Sequence, residues 1–228
     1  MFDDDHVGFN FWPAFADFML ALLLVFLIAF GIAHLTPRGV SPETARNCQE
    51  SLERQFRASS AGSTGKASVE FERDAGDPFL LRIRFQNQLL FGTDDAQLKP
   101  AGEKVLRALG QIVRRQSASI REIQIHGHAD VRASRRFQSN THLAAERANS
   151  VFRLLRLYVD PAEHAMSITS YGEYFPAARR PGEVWTWPMI LTANASEGGQ
   201  QRNRRVELLL FYGEHAQPCA ESKAKAGD

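Results

Sequence analysis

Hydrophobic and polar positions divide the chain into three regimes. Phe9–Leu35, FNFWPAFADFMLALLLVFLIAFGIAHL, is almost unbroken apolar sequence, with neither charge nor hydroxyl from Phe18 to Ala33. A helix of roughly 20 apolar residues crosses a bilayer, so residues 9–35 predict one transmembrane helix. Trp12 suits the headgroup level, and Pro13 suits a first helical turn, where its missing donor is harmless. Residues 36–66 are polar and small. From Ala67 onward the periodicity switches between 2 and 3.6, as strands and helices alternate.

Within residues 36–66, Ser41 can cap a helix, Pro42 fits its first turn, and Glu43 favours an N-terminus. Large apolar residues are few (Leu52, Phe56), which predicts a short solvated helix over Ser41–Phe56, without the apolar stripe of a membrane-surface helix. Ala58–Lys66, ASSAGSTGK, has the composition of a flexible linker. Further on, Phe79–Phe85 reads as a strand and Thr93–Asp95 as a turn. Pro100–Gln116 has helical spacing (Val105, Leu106, Leu109, Ile112, Val113), Ile120–His126 alternates, and Leu143–Tyr158 is an amphipathic helix. Met166–Tyr171 and Arg205–Tyr212 are the remaining strands. Between Pro176 and Arg202 lies a long insert, read as irregular, with Trp185, Trp187 and a Gly pair. These elements predict an α/β domain, an α+β sandwich with one sheet covered by helices. The expected division is a tail (1–8), the transmembrane helix (9–35), a linker with a short helix (36–66), the folded domain (67–215) and a flexible tail (216–228).

Composition narrows the function. A formal charge of +1 gives no basic excess for nucleic acid. Two cysteines, Cys48 and Cys219, are too few for a disulfide framework or a tetrahedral metal site. They either bridge, outside the cytoplasm, or remain free thiols. The start is acidic (Asp3, Asp4, Asp5), no Lys or Arg precedes the helix, and the apolar run is too long for a cleaved signal. A retained anchor is expected. Arg38 and Arg46 would place the following domain in the cytoplasm by the positive-inside rule, a weak vote on so few charges.

Three candidate chemistries stand out. Asp17 is the ionisable residue inside the apolar run; a carboxylate near a bilayer centre costs up to ~3 kcal/mol on insertion scales and is by default functional. Asp130, at a strand end, and Arg147, on the next helix, can form a pocket of two signs that grips an amine and a carboxylate through charge-assisted hydrogen bonds. Taken singly, each of the two is also a common turn former or helix-face residue. His126 and His128 share one side of a strand and, with Asp130, mimic a metal cluster, but no further ligand pattern supports one.

Ile125-His-Gly-His-Ala-Asp130, then Asn140-x-x-Leu143-x-x-x-Arg147-Ala148, then Tyr171-Gly-Glu173 and Asn203-Arg-Arg-Val-Glu207 together resemble the OmpA-like peptidoglycan-binding domain. The resemblance runs from Leu80 to Tyr212 and accounts for the histidines without a metal. It implies that Asp130 and Arg147 hold the diamino acid of a peptidoglycan stem peptide, that Asn140 fixes the loop between them, and that Asn203 and Arg204 support the wall. Ala129 replaces a hydroxyl residue of the family pattern, Ala145 takes its small-residue slot, and the loop carrying Arg132, Arg135 and Arg136 is longer and more basic.

Trp12-Pro-Ala-Phe-Ala-Asp17-Phe-Met19, entering an apolar helix ahead of such a domain, resembles the B subunit of the flagellar stator (MotB-type) and the ZorB subunit of Zorya anti-phage systems. The short acidic tail and short linker favour the ZorB side. What this resemblance implies is a non-enzymatic, ion-translocating motor subunit of the bacterial inner membrane, with Asp17 as the ion carrier and no cofactor; the helix offers no Ser or Thr as a further oxygen ligand, which favours H⁺ over Na⁺. The expected partners are a pentameric multi-span MotA/ZorA-like subunit, a second copy of this chain, peptidoglycan and the membrane, with no nucleic acid. Residues 1–8 would be cytoplasmic and the C-terminal domain periplasmic, against the arginine count. A flagellar stator role and a passive cell-wall tether without ion flux are the alternatives.

Overall fold

The computed structural model describes residues 11–35, 41–59, 68–180, 182–213 and 219. Contacts divide the chain into two units, 1–38 and 39–228.

In the first unit, α1 (Trp12–Leu35) is one continuous helix. Its stretch Trp12–Ile32 is long and apolar enough to cross a membrane. Large apolar side chains from Phe11 to Ile32 are exposed on all sides. A helix apolar all round has to be covered, by lipid or by other helices.

The second unit is a five-stranded sheet with helices on one face. The described elements are α2 (Pro42–Ala58), β1 (Val69–Arg73), β2 (Leu80–Gln86), the single turn α3 (Asn87–Leu90) and α4 (Pro100–Arg115). They continue with β3 (Ile120–His128), α5 (Asn140–Leu155), β4 (Ala165–Gly172), α6 (Trp187–Ala193), α7 (Glu197–Asn203) and β5 (Arg205–Tyr212). Strand order is β1-β2-β5-β3-β4. β3 and β4 are parallel, joined through α5, and every other pairing is antiparallel. The last strand is therefore inserted at the centre of the sheet, between β2 and β3.

Alternation sets the two faces. Leu81, Ile83, Phe85, Ile123, Ile125, Leu208 and Leu210 point into the core against Leu106, Leu109 and Val151 of the helices. Three predicted features differ from the structure. The helix read as solvated packs into this core: Ala45, Cys48, Leu52 and Phe56 of α2 are buried, and Gln49 donates to the Pro78 carbonyl at 3.0 Å. Its buried stripe is built partly of small residues, which carry little hydropathy signal. Second, the insert is irregular only in its first half; its second half folds into α6 and α7. Third, Val69–Arg73, which the sequence reading did not assign, is an edge strand whose outward side carries Glu70 and Glu72.

The two cysteines are joined: Cys48 of α2 and Cys219, beyond β5, form a disulfide spanning 171 residues. It ties α2 to the chain beyond β5.

Candidate functional site

The site forms where β3 ends and α5 begins. Gly127 permits this junction, because a Cβ there would lie 2.1 Å from the Ala144 carbonyl oxygen of α5. Only hydrogen fits, so α5 lies directly on β3 and Asp130 emerges beside the first turn of α5. Gly172 makes the matching approach on β4, at φ +51°, with Thr141 Oγ1 2.7 Å from where its Cβ would be.

Asn140 closes the loop between strand and helix. Its Nδ2 donates to the Asp130 carbonyl at 3.1 Å, and its Oδ1 accepts from the Ser134 amide at 3.1 Å. The outer half of the loop is gathered by Asp94, itself in a left-handed turn at φ 50°. Asp94 accepts from the Ser134 hydroxyl (2.5 Å) and from the amides of Arg135 (2.8 Å) and Arg136 (3.1 Å). The Ser134 hydroxyl and those amides hold the Asp94 carboxyl below its usual range.

These elements enclose a cavity of ≈ 630 Å³ lined by Asp130, Asn140, Arg147 and Arg204 among others. Arg147 is buried; its Nε donates to the Asp95 carbonyl at 2.9 Å and its guanidinium lies over the Phe91 ring. Burial lowers the Arg147 pKa to about 10, with Asp94, Asp130 and Asp95 opposing the fall, so it stays cationic at neutral pH. Asp130 is also buried, and its Oδ2 accepts from Arg204 Nη1 at 2.7 Å and from Arg132 Nε at 2.9 Å. A buried acid and a buried guanidinium thus line one cavity, which offers charge-assisted hydrogen bonds of both signs.

Of the residues singled out in sequence, Asp130, Asn140, Arg147 and Arg204 meet here. Asn203 does not line the cavity. It is buried under the insert, where Oδ1 accepts from the Ala177 amide (2.9 Å) and Nδ2 donates to Asn194 Oδ1 (2.8 Å). Asp17 belongs to the other unit. Asp94, Arg132 and Glu197 also line the cavity. The family motifs gave no sign of Asp94 or Glu197, which reach the site from distant segments.

His126 and His128 lie with Glu207, not with Asp130; donor atoms of the three fall within 4.8 Å of one another. Glu207 is taken by arginines: Arg205 Nε at 2.7 Å, Arg82 Nη1 at 2.9 Å and Arg84 Nε at 3.2 Å. Burial would push its carboxyl up, but Arg205, His128 and Arg82 hold it well below the carboxylate range. Burial, followed by Arg205, pushes the His128 pKa well below its ordinary value. The triad is an ion-paired brace across β2, β5 and β3 rather than an open donor set.

Residues 90–184 match the OmpA family, and the second unit has the mixed α/β fold of an OmpA-like domain. Arg204 and β5 lie outside the matched residues. The fold is similar to that of a putative MotB-like protein from Desulfovibrio vulgaris, at TM-score 0.60 and 22% identity, covering 75% of this chain and 96% of that one. It is similar to the periplasmic domain of Helicobacter pylori MotB, at 0.52 and 22%, covering 68% and 85%. The cell wall anchor of the T6SS from Pseudomonas aeruginosa is similar at 0.51 and 25%, covering 71% and 97%. No curated protein matches the chain in sequence.

Proposed function

We propose that this chain is a MotB-like stator subunit of the bacterial inner membrane, of the ZorB type that serves anti-phage defence, moored to peptidoglycan by its OmpA-like domain. The observation that carries the reading is the pairing in one chain of two sites. One is a single acid, Asp17, in an apolar helix; the other is a cavity that sets Asp130 against Arg147. In the cavity, Asp130 receives the ammonium of the stem-peptide diamino acid and Arg147 its carboxylate, while Asn140 holds the loop and Arg204 backs Asp130. The similar fold of a solved cell wall anchor supports the mooring.

In the membrane, protonated Asp17 is neutral and tolerated among helices, whereas its ionised form seeks water or a polar partner. Proton uptake and release then bias the packing of a multi-span partner around two copies of α1, and mooring keeps those copies from turning. The Cys48–Cys219 bond supports a periplasmic second unit, since such bonds persist in oxidising compartments. Burial of α2 in the domain core shortens the free linker further, which supports the ZorB type over the flagellar one.

The test is Asp17→Asn in cells carrying the chain and its multi-span partner. Phage protection should be lost with expression and peptidoglycan pelleting unchanged. Retained protection would leave a passive tether. Restored swimming in a flagellar mutant, without protection, would favour the flagellar type.

A further inference from the structure

The mouth of the cavity carries more positive charge than a zwitterion needs. Five cationic residues line the cavity against three carboxylates. One of the three, Asp94, is spent on the Ser134 hydroxyl and loop amides. The other two, Asp130 and Glu197, hold the same pair of guanidiniums. Arg204 spans them, donating at 2.7 Å to each. Arg132 sits outside: its Nε reaches Asp130 at 2.9 Å, its Nη1 lies 3.8 Å from Glu197, and its side chain is 58% exposed. Among the described residues, Nη2 of Arg132 has no hydrogen-bond partner. Glu197 comes from the insert, at the start of α7, so the insert builds one side of this mouth.

We propose that Arg132, oriented by Asp130 and Glu197, is a specificity-determining residue that reads a second free carboxylate on the stem peptide, beyond the one held by Arg147. The pocket thereby prefers stem peptides whose acidic residue next to the diamino acid is a free acid over those in which it is amidated. The inference rests on the peptidoglycan reading above. The chemistry is direct. A guanidinium pairs with a carboxylate through charge-assisted, often bidentate hydrogen bonds, whereas a carboxamide offers a neutral acceptor and a donor that meets the guanidinium with the wrong polarity. Asp130 holds the fork through Nε before binding, with Glu197 nearby, so part of the ordering is already done when the ligand arrives.

The experiment is calorimetric titration of the full chain in detergent with two soluble stem peptides, one with free carboxylates and one amidated at that acidic residue. Wild type should prefer the free acid about tenfold, the scale of one charge-assisted hydrogen bond. Arg132→Gln should bring the ratio close to one, and Glu197→Gln should leave it above the Arg132→Gln value. Equal affinity of wild type for both peptides would overturn the inference while leaving the mooring intact. So would a preserved ratio in Arg132→Gln. Binding of neither peptide would defeat the peptidoglycan reading itself.

Discussion

Gly127 and Ala144 touch across the β3–α5 junction, backbone against backbone, with no room for a methyl group between them. Gly127→Ala should therefore destabilise the domain by about 3 kcal/mol, at the upper end for overpacking, since the opposing atom is a helix carbonyl that cannot swing aside. Thermal melting checks this. The same variant should lose peptidoglycan pelleting, because α5 carries Asn140 and Arg147.

Asp130→Ala and Arg147→Ala should both abolish pelleting with purified peptidoglycan, and both should lower stability. Arg147 is buried and donates to the carbonyls of Asp95 and Gly92, and Asp130 is buried and accepts from Arg204 and Arg132, so each loss should also cost about 2 kcal/mol, the scale of a charged hydrogen bond. Denaturant unfolding separates the two effects. Pelleting of both variants at the wild-type level would remove the cavity as the binding site.

The brace around Glu207 makes an acid limb. A carboxyl whose folded pKa is depressed contributes stability that is present above its unfolded value, about 4.3, and fades as pH falls toward the folded one. His126 and His128, both lowered by burial first, act in the same direction from about pH 6.5 downward, because the unfolded chain binds the protons they refuse. Unfolding free energy should thus decline steadily as pH drops below neutrality. His128→Phe should flatten the upper part of that decline. Glu207→Gln should cost about 3 kcal/mol at neutral pH by leaving buried Arg205 without its counter-charge.

Reduction of the Cys48–Cys219 bond should lower stability by about 2–4 kcal/mol, since the cross-link closes a very long loop in the unfolded chain. Melting with and without reductant measures it. Cys48→Ser should show the same drop and no further response to reductant.

Much of this fold is legible where periodicity is strong. Arg205–Tyr212 reads as a strand with the observed bounds, and the helices around Leu106 and Val151 announce themselves by spacing. What resists reading has physical causes. The buried face of α2 uses Ala45 and Cys48, which look indifferent in a polar helix. At seven residues each, α6 and α7 are too short to display a 3.6 period. At the site, the motifs give Asp130, Asn140, Arg147 and Arg204, because each sits beside a glycine junction or a strand end with a recognisable pattern. Asp94 and Glu197 arrive from segments far off in sequence, and their importance exists only once the chain is folded. Asn203 shares a motif with Arg204 yet faces the opposite way, a distinction that spacing alone does not make.

The covalent link between α2 and Cys219 bears on how the domain would take a pull. Tension applied to the chain ahead of α2 meets that helix first, and through sulfur it passes to Cys219, beyond the central strand β5. Strain is thereby shared between the first helix of the unit and the middle of its sheet, instead of unzipping the unit from one end.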